Sequence, residues 1–163
     1  MTEARQNPRS GSDRRALSGA ARLYAVQALF QMEAAGQSAD RVQREFETYR
    51  IGAEDEEGQM PEADRDLFMR IVDQAVTWQS RIDQATDRGL VAKWPIDRID
   101  PVLRALFRAG GAELAGARTP PKVVITEYVR IAEAFFPDGR EPKFVNGVLD
   151  HMARDLRPDA FDG

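Results

Sequence analysis

Apolar side chains recur at three- and four-residue steps along most of the chain, the spacing that places them on one face of an α-helix. The first such stripe consists of Leu17, Ala21, Tyr24, Ala28 and Met32. Alternation of the kind that strands show does not extend over more than a few residues. The pattern therefore predicts an all-α fold.

Capping residues, prolines and glycines divide this pattern into six or seven helices. The main helices are predicted from Asp13 to Gly36, from Ser38 to Gly52, from Pro61 to Arg88, from Asp100 through Leu114, from Thr119 to Pro137 and from Pro142 to Pro158. The acidic stretch from Glu54 to Gln59 is predicted to be a loop, and Val91–Trp94 a short segment. Gly110 and Gly111 lie inside a helix, so we expect close helix contact or a kink there.

The 163 residues are enough for one domain with a hydrophobic core and too few for two of ordinary size. We predict a basic N-terminal arm over residues 1–13, a single helical domain over 14–158 and a short tail over 159–163. Gly89 interrupts the third predicted helix, which divides the domain into two packed subdomains, about 14–88 and 89–158.

The net charge of −4 argues against a protein that binds nucleic acid with its whole surface. The charge is unevenly distributed, however. Residues 1–22 hold five arginines against two acids, whereas residues 54–66 hold seven acids against one arginine. A basic end on an acidic body predicts local, narrowly selected binding of a polyanion.

The sequence offers no catalytic constellation, cofactor motif or metal site. Cysteine is absent and His151 is the only histidine, which excludes thiolate sites and histidine pairs. We expect His151 to be a surface residue. Gly110-Gly111 follows no strand and precedes no lysine, so it is not a phosphate loop. No apolar run suits a bilayer or a secretory signal, which predicts a cytoplasmic protein.

Two groups of residues are candidates for contact with RNA. Arg14 and Arg15 precede Arg22 by eight and seven residues, so one helical face can hold all three near a helix N-terminus. On the residues alone, a solvated helix face is favoured over RNA contact as the explanation for these three arginines. The second group lies around the start of the last helix and comprises Arg140, Lys143, Phe144 and Asn146. Phe144 is either a platform for a base or the first core residue of its helix, and Asn146 either meets a base edge or bridges helices.

Two segments resemble the NusB family of transcription antitermination factors: Arg22–Gln31 and, more specifically, Pro121–His151, with the sequence KFVNGVLD at 143–150. The resemblance implies a helical protein of two subdomains that binds the boxA element of nascent RNA, notably in ribosomal RNA leaders. It also implies a heterodimer with the ribosomal protein NusE, acting on the transcription elongation complex. The family carries an arginine-rich motif at the start of its first helix. Arg22 falls on that motif, whereas Arg14 and Arg15 depart from it by two turns.

Other interpretations remain open. A related helical domain precedes the catalytic part of a bacterial ribosomal RNA methyltransferase, so the chain could be a stand-alone RNA-binding relative, although we expect no enzyme activity because a cofactor domain is missing. A helical scaffold without RNA binding is a third interpretation. The face from Asp73 to Asp83 with Trp78 is either a partner-docking surface or ordinary packing. Formation of a homodimer is left open.

Overall fold

The computed structural model describes residues 10–161. Its elements are α1 (Gly11–Ala35), α2 (Ala39–Tyr49), β1 (Glu54–Asp55), β2 (Gly58–Gln59), α3 (Arg65–Thr77), α4 (Gln79–Lys93), α5 (Pro101–Gly116), α6 (Pro121–Phe135), α7 (Glu141–Leu156) and a 3₁₀ turn at Pro158–Phe161. Apart from one hairpin of two short strands, the described part is helical, which confirms the predicted all-α class with about seven helices.

The first helix begins ahead of the predicted N-cap at Asp13. The N-cap is Ser10, whose hydroxyl oxygen accepts a hydrogen bond from the Asp13 backbone N–H at 3.0 Å. Asp13 therefore lies in the first turn, where its negative charge interacts favourably with the free backbone N–H groups and stabilises the helix. The predicted end is confirmed, since Gly36 caps α1 in the left-handed conformation. Residues 1–9 of the predicted arm lie outside the described residues, and residues 11–13 belong to α1.

The long third helix of the prediction is two helices. Asp64, not Pro61, starts α3, because the Asp64 carboxylate accepts the Leu67 N–H at 3.0 Å. The chain leaves the helical conformation at Trp78 and re-enters it as α4, which continues through Gly89 to Lys93. Gly89 does not interrupt the helix. A Cβ atom there would lie 3.1 Å from Cγ1 and 3.2 Å from the carbonyl oxygen of Val148, so glycine permits α4 to pack closely on α7.

The acidic stretch predicted as a loop is an antiparallel hairpin in which Glu54 pairs with Gln59 and Asp55 with Gly58. The Asp55 carboxylate accepts the Glu57 N–H at 2.8 Å within the turn. Strands of two residues are too short to leave an alternating pattern in the sequence, so the periodicity could not reveal them.

The helix α5 is central, because it packs against α1, α3, α4, α6 and α7. Gly110 and Gly111 are both buried, and they supply the predicted close contact. A Cβ atom on Gly110 would lie 3.1 Å from Leu149 of α7, and one on Gly111 would overlap Ile82 of α4. The two glycines therefore let neighbouring helices approach this central helix.

The helix α4 packs most extensively against α7 and also contacts α5. The predicted subdomain boundary at Gly89 would thus fall inside α4, and the division into two subdomains stays a prediction. Among the described residues, no helix combines the length and apolar character needed to cross a membrane.

Candidate nucleic-acid interface

Arg22 lies in the interior, which corrects its predicted role in RNA contact. Only 6% of its surface is exposed. Its Nε donates to Glu113 Oε2 at 2.7 Å and a terminal nitrogen donates to Oε1 at 3.1 Å, while Glu127 lies 3.6 Å away. Burial works against the charged form, but the hydrogen bonds and charge of Glu113 outweigh it and raise the pKa of Arg22. The guanidinium is engaged within the fold, so Arg22 leaves the candidate set.

Glu113 of α5 is the centre of this buried network, which links α1 to α5, to α6 and to the loop between α5 and α6. Its carboxylate accepts the hydroxyl of Tyr128 at 2.8 Å and that of Thr119 at 3.3 Å, besides both bonds from Arg22. Burial, followed by the charge of Glu113, raises the pKa of Tyr128 well above its usual value. Thr119 was the predicted cap of α6, but its hydroxyl is used here, and Pro120 occupies the N-cap position without a side-chain hydrogen bond.

The other two arginines of the predicted face are exposed on the first turns of α1. Arg14 borders a groove of about 530 Å³ that is also lined by acidic residues just before and at the start of α3, namely Glu62, Asp64 and Asp66. The backbone N–H of Asp64 donates to Leu17 O at 3.1 Å, which fixes α1 beside the start of α3. Arg15 borders a second groove of about 400 Å³, between α1 and α6, together with Glu127 and Arg130. Arg14 and Arg15 therefore retain an accessible position that Arg22 lacks.

The second predicted group surrounds a pair of stacked aromatic rings. Phe144, in the first turns of α7, stacks on Trp94 at the end of α4, with ring centroids 4.9 Å apart and planes 13° apart. Trp94 precedes Pro95, and a residue before proline is disfavoured in the helical conformation, so α4 ends at this position. Pro142 lies in the first turn of α7, where a missing N–H has no cost. Both rings are half-buried.

Cationic and amide side chains border this ring pair. Lys143 and Asn146 are exposed on α7, and Arg140 is exposed at its N-cap. Lys93 is the last residue of α4 and is exposed, and the aliphatic part of its side chain lies against Gly147 of α7. Arg140, Lys143, Phe144 and Asn146 lie together at the start of α7, whereas the sequence did not indicate that Trp94 and Lys93 lie beside them. The available signal was an aromatic residue and a lysine directly before a proline.

The structure thus distributes the predicted residues over three places. Arg14 and Arg15 lie on α1 beside α3 and α6, Arg22 is interior, and the remaining four residues lie where α7 starts beside the end of α4. The ring pair with Lys93, Lys143, Arg140 and Asn146 is called the α4/α7 surface below.

The alternative docking face is largely engaged in internal contacts. Asp73 accepts a hydrogen bond from Gln43 at 2.9 Å, and Asp83 binds Arg108 at 2.9 Å. Trp78 is partly buried against the core. These contacts favour the packing interpretation.

His151, expected at the surface, is half-buried beside Gly89, and its Nδ1 atom is buried without a hydrogen-bond partner among the described residues. Residues 10–161 contain no group of three or more potential metal-binding side chains.

Stacked aromatic rings next to solvent-exposed lysines are the chemistry by which proteins hold single-stranded nucleic acid, through ring stacking on bases and charge attraction to phosphates. The fold defines an all-helical protein, and this surface presents exposed cations beside a pair of aromatic rings. Comparison with known proteins identifies the family.

A sequence model of the NusB family matches residues 19–154. The transcription antitermination protein NusB of Maricaulis maris is 45% identical over 98% of this chain and 99% of its own length. That of Granulibacter bethesdensis is 49% identical over 88% of this chain and 91% of its own. The chain belongs to the NusB family of transcription antitermination factors.

Solved structures agree with this assignment. T. maritima NusB is 29% identical, with a TM-score of 0.65 over 88% of this chain and 95% of that one. A chain in a crystal structure described as a plectonemic RNA supercoil is 26% identical, also with a TM-score of 0.65, over 84% of this chain and 94% of that one.

Proposed function

We propose that this protein binds boxA-type single-stranded RNA as a heterodimer with the ribosomal protein NusE, and thereby supports ribosomal RNA transcription by the elongation complex. The observation that carries the proposal is the α4/α7 surface, where Lys143 and the Phe144 ring are presented together within a segment typical of the family. The similarity to a chain in an RNA-containing crystal structure also supports RNA as the ligand.

The charge distribution supports recognition that is local and dependent on a partner. The whole chain carries a net charge of −4, so long-range attraction of RNA is weak, and the exposed cations of the α4/α7 surface act only over about a Debye length of 10 Å or less. A second protein that contributes further contacts would compensate for this weakness. Arg14 and Arg15, on the accessible start of α1, are proposed to contact RNA phosphates outside the ring pair.

The test is a titration of fluorescently labelled boxA-type RNA, followed by anisotropy, with and without the ribosomal protein and at several salt concentrations. We expect tighter binding with the partner and a loss of affinity as salt increases. A scrambled RNA of equal length is the control for sequence preference. Absence of any preference and of any gain with the partner would contradict the proposal.

Lys143 offers a sharp comparison, because the chain has only two other lysines and one of them, Lys122, is equally exposed but lies at the start of α6. Lys143→Ala is expected to weaken binding and to lower the salt slope by about 0.7, the value for one phosphate contact with a single strand. Lys122→Ala should change neither quantity. Equal effects of the two substitutions would show that net charge, not this surface, governs binding.

A further inference from the structure

The α4/α7 surface contains a residue that the family resemblance does not assign to RNA binding. Trp94 closes α4, and its indole ring lies nearly parallel to the Phe144 ring at a centroid distance of 4.9 Å. Within residues 10–161, Phe46 makes an edge contact with Tyr24 and stacks on Phe68, and Phe46 is fully buried in the core. The Trp94–Phe144 pair differs because neither ring is fully buried.

Two lysines adjoin the ring pair in the sequence. Lys93 and Lys143 are contributed by different helices, yet both lie directly next to a ring of the pair in sequence. Among the described residues, neither lysine forms an ion pair, whereas many of the arginines are paired with carboxylates. Two of the three lysines of the chain are thus concentrated, unneutralised, at one ring stack.

We propose that Trp94 and Phe144 form a two-ring platform onto which one unpaired RNA base stacks as a third ring, with Lys93 and Lys143 binding the flanking phosphates. The inference rests on the proposed function and adds Trp94 and Lys93 as binding residues. A tryptophan ring offers a large π-surface that stacks on any base, so the platform contributes affinity for an unpaired base with little selection of its identity. Selection would then come from groups such as Asn146.

A packing role for Trp94 predicts different behaviour. If Trp94 only supported the fold, its replacement would lower thermal stability and weaken binding of every RNA equally. If it stacks on a base, the loss depends on whether the RNA still carries that base. The experiment therefore combines protein variants with RNAs that lack one base at a time.

Trp94→Leu is measured by anisotropy on the boxA-type RNA and on a series of RNAs with a single abasic site at successive positions. We expect a loss of affinity of roughly 5- to 100-fold on the intact RNA, corresponding to the stacking of one base. The wild type should bind less tightly to the abasic RNA that lacks the stacked base. On that RNA, Trp94→Leu should lower the affinity by less than about 2-fold relative to the wild type. Trp94→Phe, which keeps a ring, should retain most of the affinity.

An optical measurement follows the same contact directly. The chain has two tryptophans, so Trp78→Phe leaves Trp94 as the only indole fluorophore. Its emission should change when the intact RNA binds, and should not change with the abasic RNA identified above. Lys93→Ala, at an exposed position, should lower the salt slope by about 0.7 without altering the melting temperature, with Lys122→Ala as the control.

Two outcomes overturn the inference and are distinguishable. If the wild type binds RNA but folded Trp94→Leu binds every RNA like wild type, or is weakened equally on all of them, Trp94 is not a stacking residue and the proposed function stands. If the wild type binds neither intact nor abasic RNA, with or without the ribosomal protein, the proposed function fails and the platform fails with it.

Discussion

The buried pair of Arg22 and Glu113 allows a quantitative test of the conclusion that Arg22 is structural. Arg22→Leu would leave the Glu113 carboxylate in the interior with only the Tyr128 and Thr119 hydroxyls as donors. Removing one partner of a buried, hydrogen-bonded ion pair typically costs about 3–5 kcal/mol, because the remaining charge loses its compensation. For a chain of this size, that corresponds to a decrease in melting temperature of roughly 6–20 °C.

A surface ion pair with the same shortest nitrogen–oxygen distance is the control. Arg88 and Asp155 are also 2.7 Å apart, but their side chains are 53% and 27% exposed, compared with 7% and 5% for Arg22 and Glu113. Arg88→Leu should therefore leave the free energy of unfolding nearly unchanged. Both variants are measured by urea unfolding, with the slope of the transition checked for a constant value.

A loss of less than about 1 kcal/mol in Arg22→Leu would contradict a structural role, since Arg22 would then behave like an exposed residue. RNA titration of the same variant, at a temperature where it remains folded, separates the two roles. A structural Arg22 predicts unchanged affinity and an unchanged salt slope. A reduced salt slope in a folded variant would restore Arg22 as a phosphate contact.

Two further predictions concern the fold. Gly111→Ala should destabilise the protein by about 1–3 kcal/mol, because the new methyl group overlaps Ile82; unchanged thermal unfolding would show that α4 moves aside without cost. Ser10→Ala should cost about 1 kcal/mol by removing the N-cap bond to Asp13, whereas Ser12→Ala, two residues later in the first turn of α1, should change stability by less than half as much. Equal melting temperatures for the Ser10 and Ser12 variants would contradict the assigned start of α1.

Several features followed from the sequence because local physical chemistry determines them. The three- and four-residue periodicity determined the all-α class, since an apolar stripe has to be buried whatever its partner is. Gly36 ended α1, and Asp100 with Pro101 started α5, because caps and prolines act on their own backbone. The sequence KFVNGVLD likewise indicated the family, since such a motif is a contiguous string.

Features that depend on contacts between distant parts of the chain were visible only in the tertiary structure. Arg22 and Glu113 are 91 residues apart, and nothing in the spacing of the arginines showed that one of them would be buried while Arg14 and Arg15 stay exposed. A glycine within a helical pattern often marks a helix break, but Gly89 lies within α4 because α7 packs closely against it. Trp94 meets Phe144 only because the end of α4 lies beside the start of α7. Periodicity fixes which face of a helix is buried, but the neighbour of each side chain depends on how the helices pack, and packing is a property of the whole chain.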